Sequence, residues 1–111
     1  MSLESFFSPS SVAIVGASDK QGKVGYEILK NMKEAGYSGK IFPVNKKADT
    51  VQGIKAYPDI LSIGEPPALV IIIVPAKFVP DIMDQCARAG CHSAVIITAG
   101  FEETGNEGKR L

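Results

Sequence analysis

The 111 residues are enough for one domain and not for two, and 45% hydrophobic against 22% charged residues is the balance of a globular chain with a packed core. Twelve basic residues meet twelve acidic ones, so no overall field favours nucleic acid or an anionic membrane, and any anion site has to be local. The longest apolar run, residues 68–74, is too short to cross a bilayer, no basic segment followed by a long apolar core opens the chain, and two cysteines with one histidine fall short of the about four ligands of a zinc site.

Residues 2–10 carry Phe6 and Phe7 ahead of Ser8-Pro9-Ser10, which predicts a short turn or helical start whose aromatics cover an edge of the core. Residues 12–15 read as a strand that is apolar on both faces, as expected when helices cover both sides of a sheet. Gly16-Ala17-Ser18-Asp19-Lys20-Gln21-Gly22-Lys23 follows, and a helical pattern then runs over residues 23–35, with Val24, Ile28, Leu29, Met32 and Ala35 on one stripe. Gly36 is placed to end that helix in the left-handed conformation.

Strand, glycine-spaced loop and helix in this order make an anion site. The first turn of a helix has unpartnered N–H groups, and the aligned peptide dipoles place partial positive charge there. Gly16 allows a sharp turn, Gly22 keeps the loop open, and Gly25 lets the helix approach the sheet, while Ser18 adds a hydroxyl and Lys23 a positive charge. The spacing is looser than GxGxxG, and a plain strand-to-helix turn needs the same glycines for geometry alone.

Residues 40–45 predict a second strand in which Pro43 removes one ladder donor, so pairing there is expected to be weak or near an end. Residues 52–57 read as a short third strand at an edge, residues 58–63 as one or two helical turns, and Gly64-Glu65-Pro66-Pro67 as a linker. Residues 68–74 predict the most buried strand, beside the first, with Pro75 stopping it and Pro80 suited to the first turn of the next helix. That helix presents Val79, Ile82, Met83, Cys86 and Ala87 on one face and ends at Gly90. Residues 94–98 give a further strand, and Ala99-Gly100-Phe101 turns out of it.

The alternation implies an α/β fold: a doubly wound, mostly parallel sheet in the order 3-2-1-4-5, with ligands outside the carboxyl ends of the strands. One rim then carries residues 16–23, 45–47, 74–77 and 98–103. Residues 102–111 read as a loop and the beginning of another helix, so the chain is expected to be a fragment of a longer protein whose next helix covers the apolar surface near Ile96.

An NAD site usually carries an acid at the end of the second strand, where it accepts from the ribose hydroxyls. Here Asn45-Lys46-Lys47 stands in that place, which counts against NAD and suits a ribose bearing an extra phosphate, as in NADP or coenzyme A; a solvated lysine pair is the plain alternative. His92 falls in a turn at the opposite rim and reads as a surface residue, and Cys86 and Cys91 read as packing thiols of a reducing cytoplasm. Glu102 and Glu103 fall on the ligand rim and read as a solvated loop.

Residues 11–18, Gly22-Lys23-Val24-Gly25, Ile41-Phe42-Pro43-Val44-Asn45, Tyr57-Pro58, residues 69–76 and Ile97-Thr98-Ala99-Gly100-Phe101 with Glu103 and Gly105 together resemble the N-terminal CoA-binding domain of NDP-forming acyl-CoA synthetases. That group includes ADP-forming acetate–CoA ligases and is related to the alpha subunit of succinyl-CoA synthetase. The resemblance covers essentially the whole chain and implies a Rossmann-like fold that presents coenzyme A. The reaction served is acyl-CoA plus ADP plus phosphate to acid plus CoA plus ATP, with a phosphorylated histidine and an ATP-grasp part elsewhere in the enzyme.

By the same resemblance, Ala17, Ser18 and Lys23 contact the pyrophosphate region, with Gly16 and Gly22, which shape that loop, counted in the expected site, and Asn45 and Lys46 lie by the phosphorylated adenosine. Val74, Pro75 and Ala76 line the adenine and pantetheine path, and Thr98, Ala99 and Gly100 face the thiol end. Ala68 departs from the Asp that relatives often have before the central strand, and His92 from a position that is commonly not histidine. The chain alone is expected to bind coenzyme A and catalyse nothing, having no nucleophile–base constellation. Two other readings stay open: a CoA-binding regulatory module, fused to an acetyltransferase or standing alone, and an NADP-binding dehydrogenase domain.

Overall fold

In the computed structural model the described residues are 9–97. Four parallel strands form the central sheet: β1 (Ser11–Val15), β2 (Lys40–Val44), β5 (Leu69–Ile72) and β6 (Ala94–Ile96), in the spatial order β2-β1-β5-β6. Helix α1 (Val24–Glu34) connects β1 to β2, and α2 (Val79–Ala89) connects β5 to β6. A two-stranded antiparallel hairpin, β3 (Thr50–Val51) and β4 (Ile54–Lys55), lies between the halves.

The period of two along β1 divides the core. Val12 and Ile14 join Leu29 of α1 and Val51 of the hairpin on one face, while Ala13 and Val15 join Ile82 and Cys86 of α2 on the other. All five β1 residues are buried, so β1 and not β5 is the most enclosed strand. In β5, Val70 and Ile72 are fully buried on the α2 side, but Leu69 and Ile71 stay half-buried because α1 packs over β1. Val95 and Ile96 of β6 and the following Ile97 are exposed.

The expected third strand shrinks to a single parallel bridge, Tyr57 against Val44, and its first part folds into the hairpin. Gln52 (φ 51°) and Gly53 (φ 81°) supply the two left-handed residues of a tight turn, which outcompetes an extended run. Pro43 is fully buried and pairs in register with Ile14. Its carbonyl accepts from Tyr57 N–H at 2.9 Å while Val44 O accepts from Gly16 N–H at 3.1 Å, so the position without a donor faces away from β1 and no bond of that ladder is lost.

Both helices end in one way. Gly36 (φ 77°) and Gly90 (φ 84°) are left-handed, and the next residue donates back to the helix, Tyr37 to Met32 O and Cys91 to Cys86 O. On α2 the buried residues are Ile82 and Cys86, with Val79 and Ala89 half-buried; Met83 and Ala87, expected on the same face, are exposed. Residues 61–63 form the expected short turn, a single 3-10 turn closed by left-handed Gly64. Ala68 is exposed, and its N–H donates to the buried Ser11 hydroxyl at 2.8 Å, which ties the start of β5 to β1 without a carboxylate. The expected roles of Phe6 and Phe7, of Glu102 and Glu103 and of a C-terminal helix lie outside the described residues.

Candidate functional site

At the carboxyl ends of β1, β2 and β5 the structure opens a cleft of about 660 Å³. Gly16, Ala17, Ser18, Gly22, Lys23, Asn45, Lys46, Val74 and Pro75 all line it, so residues separated by up to 59 positions in the chain meet at one rim as the topology requires. Ala76 starts the short 3-10 turn Ala76–Phe78 and is not part of the lining. Thr98, Ala99 and Gly100 lie outside the described residues.

The glycine loop is built by backbone proximity. A Cβ on Gly25 would fall 2.0 Å from Gly16 O, and one on Gly16 would fall 2.0 Å from Ile73 O. Helix α1 therefore starts in direct contact with the end of β1, which itself sits against the end of β5. Gly22 is the opposite case: a Cβ there meets nothing within 4 Å, because the loop faces open space. Lys23 occupies the N-cap position without a side-chain cap, and among the described residues the amides of Gly22, Val24 and Gly25 have no protein acceptor. Unpartnered donors, the positive end of the α1 dipole and the exposed Lys23 thus face one opening.

The loop is held in shape from outside. Asn45 Nδ2 donates to Ala17 O at 2.9 Å, and its Oδ1 accepts from the N–H groups of Lys47 and Ala48 at 2.8 and 2.9 Å. Its side chain thus joins the β1–α1 loop to the turn after β2, where the exposed Lys46 lines the cleft. Ser18 Oγ accepts from Lys20 N–H at 2.9 Å, which shapes the loop locally.

The far wall was not anticipated from sequence. Pro58, Asp59, Phe78, Asp81, Ile82 and Gln85 complete the lining from the turn after Tyr57 and from α2. Asp59 Oδ1 accepts from Ser62 N–H and Oγ at 2.8 and 2.7 Å, while Gln85 accepts from Ile60 N–H at 3.1 Å and donates to Asp81 at 3.2 Å. The Asp59–Ser62 bond is a local turn habit of aspartate that the sequence can suggest, but that α2 brings Asp81 and Gln85 to the cleft depends on helix rotation. The cleft is accordingly polarised, with amides and lysines on the α1 side, carboxylates on the α2 side, and the half-exposed Phe78 ring at its mouth.

The cysteines stand away from this cleft. Burial, together with the adjacent Cys91 thiol, pushes the Cys86 thiol up to about 11, and burial raises Cys91 as well. His92 is exposed in the turn that enters β6, at the opposite rim. Among the described residues no three His, Cys, Asp or Glu side chains converge as a metal would need, and no helix is long and apolar enough to cross a membrane.

Known proteins share this chain's sequence and fold. The family described as CoA binding domain matches residues 10–107. The alpha subunit of ADP-forming acetate–CoA ligase I of Pyrococcus furiosus is 46% identical, over all of this chain and 25% of its own length. The ADP-forming acetate–CoA ligase of Methanocaldococcus jannaschii is 49% identical over 88% of this chain and 14% of its own length. Among solved structures, the apo form of dinucleotide forming acetyl-coenzyme A synthetase 1 of Candidatus Korarchaeum cryptofilum superposes with a TM-score of 0.83 at 41% identity, covering 96% of this chain and 23% of that one. The chain thus spans a quarter or less of each of these relatives.

Proposed function

The chain belongs to the CoA binding domain family, and on that premise we propose that its cleft receives coenzyme A for an ADP-forming acyl-CoA ligase of which it is one part. The observation that carries the reading is the uncapped start of α1, whose free amides open onto the cleft at Gly22 with no side chain in between. A pyrophosphate suits that cradle, since its oxygens accept from several N–H groups at once and its charge opposes the helix dipole. Gly16, Ala17, Ser18, Gly22 and Lys23 surround it. Lys46, exposed in the turn that Asn45 ties to the loop, meets the phosphate on the adenosine ribose, with Lys47 beside it.

Val74 and Pro75 border the path of adenine and pantetheine, Ala76 lies one residue beyond that lining, and Thr98, Ala99 and Gly100 are assigned to the thiol end. This chain's contribution is to bind and orient. The reversible conversion of acyl-CoA, ADP and phosphate to acid, CoA and ATP takes place with other parts of the enzyme, an ATP-grasp part among them. The short span of the relatives that the chain covers supports its being a piece of such a ligase. A reducing cytoplasm is the compartment that fits two free thiols.

Calorimetry on the 111-residue chain tests the reading. Coenzyme A is expected to bind about three- to tenfold more tightly than dephospho-CoA, the range of one exposed charge-assisted contact. Equal affinities remove the role given to Lys46 and Lys47. Binding of NADPH without binding of coenzyme A overturns the reading.

A further inference from the structure

Gln52 is the only non-glycine residue with a positive φ among the described residues, at 51°. It occupies the first central position of the β3–β4 turn, where left-handed geometry selects Asn, Asp or Gly. Glutamine is a costly choice for that backbone, and such strain persists where something else holds it. What glutamine adds is reach. Its Nε2 donates to Ser18 O at 3.2 Å and to Tyr26 O at 3.1 Å, one carbonyl on each side of Gly22. Both partners are carbonyls, so the side-chain amide has to present its nitrogen. The backbone adds two more ties: Gln52 N–H donates to the Asp19 carboxylate at 2.5 Å, and Gln52 O accepts from Lys33 Nζ at 2.9 Å. Gln52 itself does not line the cleft.

We propose that Gln52 is a positioning residue for the coenzyme A site: the β3–β4 hairpin clasps the glycine loop from behind and holds residues 18–26 in their ligand-receiving shape before the ligand arrives. The inference rests on the reading of the cleft given above. A loop whose competent shape is only partly populated binds more weakly in proportion to that population, so the clasp acts on affinity without touching the ligand.

Two variants separate the clasp from the turn. Gln52→Gly suits the left-handed backbone better than glutamine and removes the side-chain donors; Gln52→Glu keeps the length and cannot donate. In the ligand-free chain, exchange of the hydrogen-bonded amides of Lys20, Lys23 and Tyr26 is expected to speed up about tenfold in both variants, with β1 and β5 unchanged. Affinity for coenzyme A is expected to fall about tenfold. Unchanged exchange at all three of these amides in either variant overturns the clasp, whether or not coenzyme A binds. Faster exchange with unchanged affinity overturns the positioning role. Failure of the unsubstituted chain to bind coenzyme A sinks the function reading instead, and the exchange result still decides the clasp.

Discussion

Single methyl groups distinguish the glycines of the loop. Gly25→Ala and Gly16→Ala each drive a Cβ onto a backbone carbonyl at 2.0 Å, and backbone has no rotamer to yield. Each is expected to lower unfolding free energy by about 3 kcal/mol or more in denaturant titration, since helix or strand must shift. Gly22→Ala meets open space, and only its φ of 91° resists, so a loss of about 1 kcal/mol is expected by the same measurement. The sequence suggested all three glycines but not their ranking, which depends on how near β1, β5 and α1 come. Asn45 was legible as a rim residue and not as a clamp. Its bonds to Lys47 and Ala48 are a local turn habit of asparagine, whereas its partner Ala17 lies 28 residues away and only the β1–β2 register brings it close. Asn45→Asp keeps the two accepted bonds and sets a carboxylate against the Ala17 carbonyl; a loss of about 1–3 kcal/mol in the same titration is expected.

At the scale of elements, periodicity locates both helices and all four strands of the sheet to within a few residues at each end, the last at 94–96 within an expected 94–98. What periodicity left open was rotation. On α2 a stripe through Val79, Ile82 and Cys86 can lean toward Met83 and Ala87 or toward Ala89, and only packing on β5 selects the second. That choice buries Cys86 next to Cys91. Burial pushes the folded Cys86 thiol up to about 11 from its ordinary 9.0, so the folded state holds this proton more tightly than the unfolded chain. Its stabilising effect is complete below pH 9 and is lost as pH rises through 11. Thermal unfolding followed between these limits should show the melting temperature of the parent chain falling more steeply than that of Cys86→Ala. The hairpin was the element least visible beforehand, because Gln52-Gly53 does not match the Asn-Gly signal and the strands flanking it are two residues each.

For the whole molecule, the sheet order is readable because strand–helix alternation admits few topologies, whereas in place of the expected outermost strand stands one bridge at Tyr57. The ion pairs Lys30–Glu34, Lys40–Glu65 and Arg88–Asp84 are all solvent-exposed and contribute little. Salt near 1 M, where the screening length is about 3 Å, should therefore leave the melting temperature almost unchanged while weakening coenzyme A binding, a contrast that scanning calorimetry and titration can record.

The β2 margin has a further consequence. Pro43 offers no N–H outward, its carbonyl is taken by Tyr57, and Tyr57 O is taken by Asn45 N–H at 2.8 Å. A neighbouring molecule seeking to extend the sheet from that flank finds its template already spent around Pro43, so edge-to-edge stacking of copies, the usual opening move of aggregation, is blocked there.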